Sequence, residues 1–222
     1  MIHVIDVVLD SFSNLFQSHR YPPLEKLYSV ILFIAGLSLR YLSVRYLSER
    51  LCLTGASRES VRIMVHRFSL LFKPSKRARR LVAVDETVLK INGLICYLWA
   101  AIDVDTNEIL ALYASRGRGL PNAIKFLKMV LRSCDGKPIV VVDRGPWYRW
   151  ALDRLGLTYF HESFGERKRI ERKFRFRELK NRTKRFYNNV NLKTLKSIEE
   201  IATAVAIAHN LVRIGGGEVI LT

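Results

Sequence analysis

Two periodicities divide the chain. Over residues 1–72 the apolar positions recur at helical spacing, and from Leu81 onward they fall into short β-branched runs broken by turn residues. In the first part, 24–35 predicts a helix closed by Gly36, a residue type that readily takes the left-handed conformation after a helix. Ser38 is placed to cap a second helix, 39–51. The loop CLTGA then leads to Ser57, a good N-cap for a third helix, 58–72. On that helix Val61, Met64, Val65, Phe68, Leu71 and Phe72 form one apolar stripe, while Arg58, Arg62, His66, Ser69 and Lys73 lie elsewhere on its surface. Helix, short glycine-containing turn and basic helix match a helix-turn-helix over about 36–72, whose last helix would enter a DNA major groove. A plain three-helix bundle with a solvated basic face has the same spacing, and on spacing alone the two readings stand equal.

The basic connector KPSKRARR (73–80) marks a domain boundary. Beyond it, 81–91 predicts a strand, Asn92-Gly93 a hairpin turn, 94–104 a second strand and 108–115 a third. After the glycine-rich SRGRGLP comes a helix over 122–133. The wholly apolar run PIVVV before Asp143 reads as a buried central strand, 138–143. A helix near 147–155, a short strand at 157–161, a basic helical stretch at 166–187 and a last apolar helix at 197–213 complete the order. Three meandering strands followed by strands with helical crossovers predict an α/β, ribonuclease-H-like (retroviral-integrase-like) sheet with helices on both faces. The expected organisation is a helical N-terminal region (1–72), a linker (73–80), a ribonuclease-H-like α/β domain (81–190) and a C-terminal helix and tail (191–222).

Charge sharpens this outline. The 222 residues carry 37 Lys+Arg against 20 Asp+Glu, a net +17, and a chain this basic generally meets a polyanion, nucleic acid first. Residues 166–185 alone carry Arg167, Lys168, Arg169, Arg172, Lys173, Arg175, Arg177, Lys180, Arg182, Lys184 and Arg185 against three acids, interleaved and followed by aromatics. That predicts a face that tracks phosphates. Cys52, Cys96 and Cys134 are too few and too far apart for a disulfide framework or a zinc ribbon; Cys96 and Cys134 read as small core residues. The N-terminus does not read as a signal peptide. The longest apolar run, 27–39, is shorter than the ~18–20 residues a membrane span needs. A cytoplasmic, nucleoid-associated protein with no membrane contact is expected.

Two acids stand where acids are costly. Asp85 follows apolar 81–84 inside the first strand, and Asp143 ends the buried one. A divalent metal would compensate them, and hard oxygen ligands suit Mg2+ or Mn2+. Taken singly, each is better accounted for by an arginine partner or an exposed strand end. Asp143 gains weight because functional groups in open α/β sheets gather at strand carboxyl ends. Glu162, Glu166, Glu171 and Glu178 are the choices for a third acid. The helix dipole explains Glu162 and Glu166. Glu171 sits among six basic residues, which suits a surface holding metal and phosphates, or else pairs with Arg167 or Arg175 one turn away. Trp147 and Tyr148 follow Asp143 and suit stacking on a frayed base or, for Trp147, core packing. His66 and His161 lack a second His or Cys at ligand spacing and read as structural residues or phosphate contacts.

The blocks AVDET (83–87), AIDVDTNEIL (101–110), VVDRGPWY (141–148), HESFGERKRIER (161–172) and RTKRFYNN (182–189) together resemble the archaeal branch of the "insertion sequence six" transposases. The resemblance covers about 36–190. It implies a DDE catalytic domain in which Asp85, Asp143 and Glu171 are the catalytic, metal-holding acids. It further implies two Mg2+ (or Mn2+) ions, double-stranded DNA as partner (terminal inverted repeats and target) and a homodimer. DNA-contacting positions would be Arg58, Arg62 and His66 on the reading helix, and Arg167, Lys168, Arg172, Arg175, Lys180, Arg182, Lys184 and Arg185 on the basic stretch. One departure stands out. IERKFRFRELKNRTK carries two residues more than the family spacing, as if Phe-Arg were doubled at 174–177, and the apolar stripe breaks there. Glu178 is therefore a rival to Glu171. A decayed transposase acting only as a DNA-binding repressor, and a nuclease of the same fold, stand as alternatives.

Overall fold

The computed structural model describes residues 13, 15, 21–35, 55–91, 94–161 and 194–214. The predicted helix at 39–51, the turn at 92–93 and the basic stretch at 166–187 lie outside the described residues. The chain divides into two compact units, 1–73 with 182–192 and 200–222, and 74–181 with 193–199. Among the described residues no helix is long and apolar enough to cross a membrane.

In the first unit, α1 (Pro23–Ala35) packs on α2 (Arg58–Phe68). Leu27, Val30, Phe33 and Ile34 of α1 are buried, as are Val61, Met64, Val65 and Phe68 of α2. Each set recurs at three- and four-residue spacing, so each helix buries one stripe. Ser57 caps α2 by accepting the Ser60 N–H at 3.1 Å. The helix ends earlier than its pattern predicts. A 3₁₀ turn, Ser69–Leu71, replaces the last α-helical turn, with the Ser69 hydroxyl donating to the His66 carbonyl at 2.6 Å. Pro74 disfavours helical backbone just before it, and tightening of a final turn is the usual response.

The second unit is built on a five-stranded sheet. Its strands are β2 (Leu81–Ile91), β3 (Leu94–Asp103), β4 (Ile109–Ser115), β6 (Ile139–Val142) and β7 (Tyr159–His161), in the order β4-β3-β2-β6-β7. β2, β3 and β4 form an antiparallel meander, and β6 and β7 add in parallel. This is the ribonuclease-H-like arrangement that the element order predicts. Helices α3 (Leu120–Leu131), between β4 and β6, and α4 (Pro146–Leu155), between β6 and β7, lie against one sheet face. There Ala123, Phe126, Leu127 and Val130 of α3 and Tyr148, Ala151 and Leu152 of α4 meet Val82, Val84, Trp99, Val140 and Val142. Each fully buried side chain of this size contributes roughly 1.5–3 kcal/mol. Helix α3 begins two residues before its predicted start because Pro121 fits the first helical turn, where its missing N–H costs nothing. A last helix, α5 (Leu195–Ile214), closes the described chain.

The basic connector holds more structure than its composition predicts. Two-residue strands β1 (Arg77–Ala78) and β5 (Cys134–Asp135) pair in parallel. Arg79, whose side chain is wholly buried, donates to Asp103 at 2.5 Å, to Glu108 at 2.9 Å and to the Ser133 carbonyl at 2.9 Å. Arg77 adds a 2.8 Å bond to Glu108. The two acids end and follow the β3 strand, so the connector is clamped to that corner of the sheet.

Candidate active site

The parallel register between β2 and β6 pairs Ala83 with Val141. Asp85 and Asp143 each lie two residues beyond that pair, and each presents a carboxylate oxygen to one cluster. β6 ends at Val142, so the chain turns away there and leaves both acids at the strand's carboxyl end. The Asp143 carboxylate is fixed by the Gly145 N–H, which donates to its Oδ1 at 2.9 Å. Pro146 then starts α4 at once. The Asp143 carbonyl lies 3.1 Å from His161 Nδ1 on the neighbouring β7, a structural contact. The Asp85 Oδ1 accepts the Glu86 N–H at 2.9 Å.

Glu86 belongs to the opposite parity of β2. Val82 and Val84 point beneath α3 and α4, and Glu86 follows them, with its side chain 4% exposed. Its Oε2 accepts the Tyr148 hydroxyl at 2.7 Å, and its Oε1 lies 3.8 Å from Nη1 of Arg118. Burial pushes the Glu86 carboxyl above its ordinary value, and the Asp143 charge adds to this against the Tyr148 hydrogen bond and the Arg118 charge. Burial and the Glu86 charge hold the Tyr148 phenol well above its own ordinary value, so it remains the donor.

Asp85, Glu86 and Asp143 each present one carboxylate oxygen, and the three oxygens lie within 4.8 Å of one another. Three converging carboxylates are the donor set that a hard, oxygen-seeking divalent cation takes, and they repel one another without one. The residues therefore fit the metal that the sequence implies.

Asp85 and Asp143 are thus brought together. Glu171, its rival Glu178 and the basic positions Arg167, Lys168, Arg172, Arg175, Lys180, Arg182, Lys184 and Arg185 lie outside the described residues. Arg58 is the first residue of α2. Arg62 pairs with Glu59 on its own helix and lies 3.0 Å from His66 Nε2, while the His66 ring faces the Glu200 carboxylate. Tyr148 is not available for base stacking. It is fully buried, its hydroxyl is committed to Glu86, and its ring meets Trp99 edge-on at 5.7 Å. Trp147 is only partly buried, and Arg118 lies over its ring. Sequence reasoning missed Glu86 and Arg118. The strand pattern held no alternation that could mark Glu86, because residues 81–84 are apolar on both faces and Ala83 is buried as Val82 and Val84 are.

A family model described as a DDE domain, that of IS240-type transposases, matches residues 80–214. The uncharacterized protein MJ0017 of Methanocaldococcus jannaschii is 41% identical over 176 residues, 79% of this chain and 79% of that protein. The uncharacterized protein aq_aa24 of Aquifex aeolicus is 39% identical over 70 residues, 31% of this chain and 57% of that protein. Among solved structures, the catalytic core domain of BIV integrase is similar with a TM-score of 0.42 and 16% identity, covering 57% of this chain and 82% of that chain. The HTLV-2 integrase catalytic core domain in complex with magnesium, in its dimeric form, has a TM-score of 0.44 and 13% identity, covering 58% of this chain and 85% of that chain.

Proposed function

We propose that this chain, which belongs to the DDE transposases of the IS240 type, takes DNA as its substrate: it binds the ends of an insertion sequence, cuts them and joins them to target DNA. The observation that carries this reading is the convergence of Asp85 and Asp143 from two neighbouring parallel strands. These two acids would hold divalent metal. Glu171, or Glu178 in its place, would complete the triad that the resemblance implies. Bound there, Mg2+ or Mn2+, two ions in the reading proposed, would supply Lewis-acid polarisation at the scissile phosphate. The chain's own residues do the positioning. Gly145 holds the Asp143 carboxylate through its N–H, and Tyr148 holds Glu86. The basic positions from Arg167 to Arg185 would track the DNA backbone, and Arg58, Arg62 and His66 would lie on a reading helix. Joining two ends in one step calls for at least two subunits, so a homodimer is part of the proposal, as is action on nucleoid DNA in the cytoplasm.

The test is incubation of the full chain with labelled terminal-repeat duplex, target DNA and Mg2+. Wild type is expected to give cut ends and joined product. Asp85→Asn and Asp143→Asn are each expected to reduce both to background, while duplex affinity measured without divalent metal stays within about twofold, since neither acid makes a phosphate contact there. Cutting without joined product would favour a nuclease. Binding without cutting by wild type would favour the repressor that the irregularity at 174–177 supports.

A further inference from the structure

Arg118 stands in the loop between β4 and α3, and this loop is fixed rather than loose. The Gly117 carbonyl accepts both the Ser115 hydroxyl at 2.7 Å and the Asn122 side-chain amide at 2.9 Å, and Gly119 is the N-cap position of α3. From that base the Arg118 guanidinium reaches toward the acids. Its carbon lies 4.5 Å from the ring centroid of Trp147 and 5.4 Å from that of Tyr97. Two rings from different elements, α4 and β3, thus pin one cation. Its acidic partner is Glu86 at 3.8 Å, beyond hydrogen-bond reach, and among the described residues the guanidinium donates no hydrogen bond. The side chain is 46% exposed. A structural arginine uses its fork, as Arg79 does on Asp103, Glu108 and Ser133. Arg118 instead donates no hydrogen bond among the described residues, and its five N–H donors stand at the edge of the carboxylate cluster.

We infer that Arg118 is a substrate-binding residue that grips one phosphodiester of the DNA strand beside the scissile phosphate. This rests on the transposase reading above. The chemistry follows from the arrangement. A phosphate offers the fork two coplanar acceptors, which Glu86 at its present distance does not. The rings fix the guanidinium plane and lower the ordering required on binding. The cation also offsets the repulsion that a polyanionic strand meets when it approaches three carboxylates.

The experiment is a double-mutant cycle between protein and DNA. Affinity of the full chain is measured, with Ca2+ in place of Mg2+, for terminal-repeat duplexes carrying a single neutral methylphosphonate at each position near the cut. Wild type is expected to lose about tenfold or more at one position, the range of a hydrogen bond to a charged group. Arg118→Ala should bind the unmodified duplex with that same loss and be insensitive at that position, yet respond as wild type at the others. Tyr97→Leu should show a partial version of the same coupling, and Arg118→Lys should restore part of the affinity. Additive losses at every position would overturn the assignment, as would Arg118→Ala binding the unmodified duplex like wild type. Wild type that binds and cuts ends while every position stays additive removes Arg118 alone. Wild type that binds no terminal-repeat duplex removes the transposition reading with it.

Discussion

Gly145 is the residue at which the smallest change reaches the acids. A Cβ there would lie 2.7 Å from two ring atoms of Trp147 and 2.9 Å from Asp143 Oδ1. Its backbone, at φ −59°, suits any residue, so the constraint is contact and not conformation. Gly145→Ala must therefore move the Asp143 carboxylate or the Trp147 ring. A displacement of about 1 Å at a reacting centre can cost about 10²-fold in rate, so single-turnover cleavage should fall by roughly that much. The thermal midpoint should move little, because the clash lies at a strand end. Unchanged cleavage would mean that Asp143 is held by something other than this turn. Legibility at this scale was uneven for a physical reason. Asp85 and Asp143 announce themselves as charges in apolar strands. Glu86 does not, because its neighbour Asp85 already accounts for acidity at that point, and its burial comes from Tyr148 of α4, remote along the chain. Arg118 was hidden further, since Trp147 and Tyr97 reach it from elements remote along the chain.

Elements were read well where one periodicity ruled them. The predicted strand at 81–91 matches β2 because Val82 and Val84 pack into the core under α3 and α4 and its length is set by pairing with β3 from Val82 to Ile91. The packing of the connector was not legible from its composition. KPSKRARR is a run of basic residues, yet Arg79 is buried in it, and the two carboxylates that make this tolerable stand some 24 and 29 positions further on. The clamp carries a pH signature. Burial pushes the Asp103 carboxyl up, but the Arg79 hydrogen bond, the backbone N–H groups of Thr106 and Asp105 and the Arg79 charge outweigh it, leaving the group below its ordinary value. A lowered carboxylate contributes stability that is present above its unfolded value and lost as pH falls through the folded one. Asp103→Asn should therefore destabilise the second unit by about 3–5 kcal/mol at neutral pH, the cost of breaking a buried pair from one side. The gap between variant and wild type should narrow below about pH 4. Urea denaturation across pH 3–8 reads both, and a gap independent of pH would show that the Asp103 charge does not hold the corner.

At the scale of the whole molecule, fold class and family were legible because blocks in fixed order survive where individual contacts do not, and because a net +17 is a property of the entire chain. The same charge makes the last prediction. Each lysine or arginine that neutralises a DNA phosphate releases a counterion, so the logarithm of affinity falls linearly with the logarithm of salt, by about 0.9 per contact on duplex DNA. Lys180, Arg182, Lys184 and Arg185 fall in the most basic stretch of the sequence. Replacing all four with glutamine should lower the salt slope for terminal-repeat duplex by roughly 3–4 if each meets a phosphate. The loss should be as large on random duplex, since phosphate contacts carry no sequence information. Asp85→Asn, which removes an acid from the candidate metal site and no cation, should leave the slope where it is. Filter binding from about 50 to 200 mM salt separates these outcomes. A slope unchanged by the fourfold replacement would move the phosphate-tracking face off this stretch and onto the remaining arginines and lysines of the chain.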